Sequence, residues 1–163
     1  MVDLTNGVEL FKSALLGEAK AAYFYQLASE LTDNDEARML FLSMVDTEED
    51  HTRQILEKIS QTSFSAVFDA ANWVREEASK VTVTLAADEE AKIRTGTLRD
   101  MLQMAINMEN QAKEGYLSLH NMLVDEGLKA YCRDLARQEE LHQQALTRLL
   151  DSLSMDPEDR PGL

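Results

Sequence analysis

The chain has 163 residues and a formal net charge of −14, a length that suits a single domain over residues 1–163 with a sizeable core. So acidic a chain is repelled by nucleic acid and by anionic membrane, and neither is expected as a partner. One cysteine excludes a disulfide framework and any Cys-x-x-Cys motif. No signal peptide is apparent and no apolar run reaches transmembrane length, which makes a cytoplasmic location the expectation.

Both prolines, Pro157 and Pro161, lie in the tail, so nothing in the body interrupts helix. The first helix should run from about Thr5 to Leu31, and Thr32 to Asp35 form a turn in which Asn34 or Asp35 caps the second helix. That helix continues to about Ser60. So short a link makes the two antiparallel neighbours. Residues 62–96 form a connector. It contains a helical-looking stretch, Phe64 to Lys80, with Phe64, Val67, Phe68, Ala71 and Val74 on one side. Phe68 and Trp73 either cap the bundle or meet a second subunit, with packing as the plain account, and the connector makes a homodimer the expected assembly. Val81 to Leu85 alternates apolar residues with Thr and reads as extended, while Asp88, Glu89 and Glu90 read as solvated surface. A third long helix should start near Thr97, with Asp100 in its first turn, and end near Leu123. Val124 to Glu126 then link it tightly to a fourth, which ends near Leu153, followed by a frayed tail from Met155. The fold expected is all-α: a four-helix bundle of two helical hairpins joined by one long crossover.

The two hairpins carry one signature. Ala14, Glu18, Ala21 and Tyr25, followed by Glu48 and His51, recur as Ala105, Glu109, Ala112 and Tyr116, followed by Glu139 and His142, always at the offset of 91 that separates Glu18 from Glu109. Positions i and i+3 of a helix share a face, so Glu48 with His51, and Glu139 with His142, each point a carboxylate and an imidazole the same way. Glu18 and Tyr25 are two turns apart, as are Glu109 and Tyr116, and also share a face. Four carboxylates and two imidazoles, drawn as one Glu from each of two helices and Glu-x-x-His from each of the others, form the ligand set of a di-iron or di-manganese carboxylate bundle.

A lone Glu-x-x-His on a helix is commonly just solvated surface. Here the neighbours argue otherwise. Glu18 shares its face with Phe11, Leu15 and Ala22; Glu48 with Phe41, Met44 and Ile55; Glu109 with Leu102 and Ile106; Glu139 with Cys132, Leu135 and Leu146. All four carboxylates therefore sit in apolar stripes, where charges are almost never left unpaired, and cations would remove the penalty of burying them. Cys132 reads as a small core residue. His120 lies eleven residues after Glu109, too far along the helix to ligate, and reads as an ordinary helix-end residue.

The repeated Ala-x3-Glu-x2-Ala-x3-Tyr pattern with Glu-x2-His resembles the rubrerythrin and bacterioferritin branch of the ferritin-like superfamily, over the four long helices. The resemblance implies a ferritin-like bundle with two iron ions, held by Glu18, Glu48, His51, Glu109, Glu139 and His142. Glu48 and Glu139 match the carboxylates that bridge both metals, Glu18 with His51 would complete one position, and Glu109 with His142 the other. Tyr25 and Tyr116 match the family's tyrosines beside the ligands and are the candidate catalytic residues. The chain departs from rubrerythrin proper in lacking the four cysteines of a rubredoxin domain, and in carrying Ala112 where that protein has an extra Glu. It departs from bacterioferritin in carrying Glu49 where a Met would bind haem, so no haem is expected. Its tail is too short and Pro-rich for the fifth helix that helps build a cage.

A rubrerythrin-like protein without a rubredoxin domain is thus the nearest family description. It implies a non-haem di-iron oxidoreductase that reduces peroxide or dioxygen with electrons from a separate donor protein. The rival is an iron-binding protein whose site is a ferroxidase serving iron storage, and a third reading is a structural bundle with trapped metal. Manganese and zinc also accept these ligands. His51 and His142 would bind as neutral imidazoles with their other N–H held by an acceptor, for which Asp46, Asp50, Asp134 and Gln138 are candidates.

Overall fold

A computed structural model describes residues 4–61, 69–81 and 87–154, which form six α-helices and, among the described residues, no strand. They are α1 (Leu4–Leu31), α2 (Asp35–Ser60), α3 (Ala70–Val81), α4 (Ala87–Thr95), α5 (Leu98–Met122) and α6 (Glu126–Ser152). The four long helices fall within about two residues of the expected bounds, the usual uncertainty of helix ends. Their starts follow from capping chemistry. The Asn34 side chain accepts from the Ala37 N–H at 2.9 Å, with Asp35 and Glu36 in the first turn of α2, where acidic groups complement the helix dipole. Thr97 and Asp100 form a reciprocal capping box at α5. Asp125 caps α6 through the Leu128 N–H at 2.8 Å.

The short links make hairpins of α1 with α2 and of α5 with α6, and these two pack through α1 against α5 and α2 against α6. This is the all-α, ferritin-like four-helix bundle with one long crossover that the repeat demanded. The crossover is more helical than its sequence suggested. Within the stretch 64–80 the described helix begins at Ala70; Phe64, Val67 and Phe68 lie outside the described residues. Val81 is the last residue of α3 rather than part of an extended strand, and residues 82–86 lie outside the description, as does the tail from Met155. The acidic run is at the surface, with Asp88 and Glu89 exposed and Glu90 half-buried, and makes up the first turn of α4, whose last turn holds Lys92 and Arg94. Opposed charge at the two ends and the Arg94–Glu90 pair at 2.7 Å support this short helix, and fully buried Ile93 anchors it in the core. Gly96 turns the chain into α5, because a Cβ there would lie 2.5 Å from the Lys92 carbonyl oxygen. Trp73 is half-buried against the core, with Lys12 Nζ 5.9 Å from its ring centroid, so it packs on its own chain.

The core comes in two clusters. One gathers Phe24, Tyr25, Phe41, Met44, Leu102 and Leu146; the other gathers Phe11, Leu15, Ile55, Ile59, Leu119 and Leu135. Each long helix contributes to both, and between its two contributions stands a glutamate: Glu18, Glu48, Glu109 and Glu139 all occupy the plane where the clusters meet. Burying each large apolar side chain stabilises the fold by roughly 1.5–3 kcal/mol, and that apolar framework holds the polar plane in place.

Candidate metal centre

The six predicted ligands converge. Glu18, Glu48, Glu109 and Glu139 are each at most 3% exposed, and His51 is fully buried. Two overlapping groups emerge, Glu18–Glu48–His51–Glu139 and Glu48–Glu109–Glu139–His142, in each of which the ligand atoms lie within 4.8 Å of one another. Glu48 and Glu139 belong to both. The same pattern is repeated at the imidazoles. His51 Nδ1 lies 3.2 Å from Glu18 Oε2, 3.3 Å from Glu48 Oε2 and 3.2 Å from Glu139 Oε1. His142 Nδ1 lies 3.3 Å from Glu48 Oε1, 3.2 Å from Glu109 Oε2 and 3.2 Å from Glu139 Oε2. Each imidazole thus faces one carboxylate of its own and the two shared ones, and the rings stack with centroids 5.8 Å apart.

The electrostatics are those of buried carboxylates and imidazoles set face to face. Burial pushes the Glu18 carboxyl well above its usual range, against the opposing pull of His51. Burial likewise pushes Glu109 up to about 8, partly offset by His142. For Glu48, burial acts upward too, but the neighbouring His142 and His51 outweigh it and hold the group well below the usual carboxylate range; Glu139 is lowered by the same pair against its own burial. Burial would depress the imidazoles, yet Glu139, Glu18 and Glu48 raise His51 far above an ordinary histidine, and Glu109, Glu139 and Glu48 lift His142 to about 11. The shifts compensate one another: protonation is favoured at the two imidazoles and at Glu18 and Glu109, and ionisation at the shared Glu48 and Glu139. That compensation is incomplete. Glu48 Oε1 and both Glu139 oxygens are buried without a well-directed hydrogen bond, a condition that costs stability unless a cation or donor meets it. The orphaned atoms sit on the two shared carboxylates, where a pair of divalent ions would be bridged, so the residues present fit a dinuclear metal site.

Supporting groups cross between hairpins. The Tyr25 hydroxyl on α1 donates to Glu109 Oε1 on α5, and the Tyr116 hydroxyl on α5 donates to Glu18 Oε1 on α1. Burial first, then Glu109 for Tyr25 and Glu18 for Tyr116, push both phenols well above their usual range, so they remain protonated donors. Of the four candidate acceptors for the histidines, Gln138 is the one in place, its Oε1 3.1 Å from His51 Nε2. Asp46 and Asp134 are exposed, and Asp50 bonds Gln54 instead. His120 stays apart from the site, with Nδ1 2.9 Å from the Lys129 carbonyl oxygen, and Cys132 is a buried core residue whose thiol burial pushes up to about 11.

Sequence reasoning missed a cavity of about 410 Å3 between α1 and α5. All four glutamates line it and neither histidine does. Its walls include Gly17, Ala21, Phe24, Met104, Met108, Ala112 and Gly115. Two glycines within otherwise strong helical patterns were the available signal, since such glycines have a local cost and call for a reason.

Comparison with known proteins decides the family. The family model described as rubrerythrin matches residues 9–150. The chain belongs to the rubrerythrin family. No curated protein and no solved structure matches it. The one cysteine of the sequence, Cys132, lies in the bundle core. Ala112 lines the cavity. Glu49 points to solvent on α2, away from the ligands. No helix among the described residues is long and apolar enough to cross a membrane.

Proposed function

We propose that this rubrerythrin-family protein is a non-haem di-iron oxidoreductase that reduces peroxide or dioxygen, taking electrons from a separate donor protein. One observation carries the reading: two overlapping, buried Glu/His groups share Glu48 and Glu139 and open on their carboxylate side to a cavity. The cavity gives a second reactant a place beside the metals. Glu18 and His51 would hold one ion and Glu109 and His142 the other, with Glu48 and Glu139 common to both groups. When bound, two iron ions supply reversible one-electron chemistry and open positions for the oxidant.

The chain's own residues perform the rest. Tyr25 and Tyr116 hold the terminal carboxylates by donating to one oxygen of each, which leaves the other oxygen of Glu109 and of Glu18 turned toward its histidine. Gln138 accepts the Nε2 proton of His51 and so presents Nδ1 to the carboxylates. The apolar clusters above and below exclude bulk water, which strengthens every charge interaction in the plane.

The test is anaerobic reconstitution with Fe(II), then hydrogen peroxide or dioxygen under a continuous supply of reductant. Sustained consumption of oxidant, many molecules per site, is expected. A single oxidation that then stops, from a particle of cage size, would favour the ferroxidase and storage reading instead. A homodimer is the assembly proposed with this function, and sedimentation of the iron-loaded protein checks it.

A further inference from the structure

The α1/α5 cavity is far larger than the reaction proposed above requires. Its volume is about 410 Å3, whereas a water-sized molecule takes up roughly 30 Å3. Pockets of roughly 300–1,000 Å3 are those that hold organic ligands. Its chemistry is divided. At the depth lie the four carboxylates, including the Glu48 and Glu139 oxygens that have no well-directed hydrogen bond. Along the wall lie Ala21, Phe24, Met104, Met108 and Ala112, all apolar. At the exposed rim stand Ser13, Lys20, Asn107 and Gln111.

The space is built rather than left over. A Cβ placed on Gly17 or Gly115 would meet nothing within 4 Å, so the glycines are not there to relieve a clash within the fold. In mid-helix each costs about 1 kcal/mol relative to Ala. The internal repeat shows what they do. At the offset that relates Glu18 to Glu109, Gly17 corresponds to Met108 and Gly115 to Phe24. Each glycine thus stands where the other half of the molecule carries a bulky apolar side chain, and all four residues line this one cavity. The duplicated halves diverged in opposite senses at two places, and both changes widen the passage to the carboxylates.

We infer that the α1/α5 cavity is a binding site for the carbon group of an organic hydroperoxide, which seats its apolar part against Phe24, Met104, Met108 and Ala112 and directs its peroxide group at the carboxylate plane. This rests on the oxidoreductase reading above and specifies its substrate class. The step is balanced as ROOH with two electrons and two protons giving ROH and water. The O–O bond breaks, each oxygen ends with one proton added, and the electrons come from a reduced one-electron carrier protein, replaced in the test by dithionite. The mostly apolar wall favours a hydrocarbon substituent of about ten carbons or fewer on grounds of volume.

The experiment uses the full-length iron-loaded protein, reduced anaerobically with stoichiometric dithionite and mixed with cumene hydroperoxide or hydrogen peroxide. The product 2-phenyl-2-propanol is quantified. Wild type should reduce both oxidants. Ala112→Leu, which places a larger side chain in the cavity, should slow cumene hydroperoxide at least about tenfold, while hydrogen peroxide changes less than about threefold. Gly17→Leu should behave alike and guards against a folding failure of the first variant. Binding of 2-phenyl-2-propanol to zinc-loaded protein, followed by calorimetry, should be saturable in wild type and lost in both variants. Reduction of hydrogen peroxide alone would overturn the inference and leave the oxidoreductase reading intact. Equal losses on both oxidants, or alcohol binding that survives both substitutions, would also overturn it. Failure of wild type with both oxidants would overturn the inference together with the function on which it rests.

Discussion

Loading the centre with metal should expel protons, and their number follows from the charge states of six residues. In the metal-free site His142 is lifted to about 11 and Glu109 is raised to about 8, so both hold protons at pH 7, and His51 and Glu18 are shifted in the same direction. Glu48 and Glu139 are held low by the histidines. Divalent ions bind neutral imidazole and ionised carboxylate, so two ions should release at least about two protons per chain. The sign for stability is fixed by the same shifts. Glu109 is raised from 4.5 to about 8, so its contribution to the metal-free fold is present below 4.5 and is lost as pH rises through 8. The His142 contribution is present below 6.5 and lost as pH rises through about 11. Glu48 and Glu139 act in the opposite direction, but their losses fall at strongly acidic pH. Metal-free protein should therefore weaken from mildly acidic toward alkaline pH, while stabilisation by metal grows. The product of the two apparent binding constants should rise by at least about two powers of ten per pH unit well below pH 8. Calorimetric zinc titrations in buffers of different ionisation enthalpy report the proton count directly. Release of one proton or none per two ions, or a metal-induced shift in melting temperature that shrinks between pH 5 and 8, would refute this charge assignment.

Three further outcomes test the framework around the site. The double variant Glu48→Ala, Glu139→Ala removes both shared carboxylates, and elemental analysis after iron reconstitution should fall from two ions per chain to none. Leu102→Ala opens a cavity at a fully buried position in the cluster around Tyr25; thermal unfolding should show a loss of about 2–5 kcal/mol, with helicity retained by circular dichroism. Thr97→Ala breaks the reciprocal bonds with Asp100 that start α5, and chemical unfolding should show a loss of about 1 kcal/mol.

The four long helices and the ligand set could be read from sequence because each had a local cause. Capping residues such as Asn34, Thr97 and Asp125 mark starts through bonds to their own neighbours, and the i, i+3 spacing of Glu48 with His51 needs only helix geometry to become a shared face. The internal repeat then supplied tertiary information that one copy lacks, since Glu18 and Glu109 must occupy related places in the bundle. What escaped was set by contacts between distant elements. α4 is short, and Ile93 is its one fully buried residue, so periodicity had little to register. For Trp73 packing was the plain account and a subunit contact the alternative, and the position of α3 against α1 and α2 places it on its own core. Burial, with repulsion between the carboxylates behind it, raises Glu18 and Glu109, while the neighbouring histidines reverse the outcome at Glu48 and Glu139.

Duplication explains the ligands, and departures from duplication explain why the two metal positions are not equivalent. The halves supply the same residue types at the same offset, so each position receives one terminal Glu, one His and both shared carboxylates. Around that symmetric set the surroundings differ. His51 is fully buried and its Nε2 is held by Gln138. His142 is 16% exposed. The residue corresponding to Gln138 in the first half is Thr47, whose hydroxyl is turned back onto the Ser43 carbonyl oxygen at 2.9 Å and so is committed to its own helix. One imidazole is therefore fixed by a neighbouring side chain in a dry pocket, and the other meets solvent. A ligand N–H held by a protein acceptor is both oriented and made more basic, and a drier surrounding changes the cost of charge at the metal beside it. The position served by Glu18 and His51 is accordingly the more rigid, and that served by Glu109 and His142 the more accessible. Two ions in a strictly symmetric cage would be interchangeable; in this chain the unrepeated residues Gln138 and Thr47 give each ion a different environment.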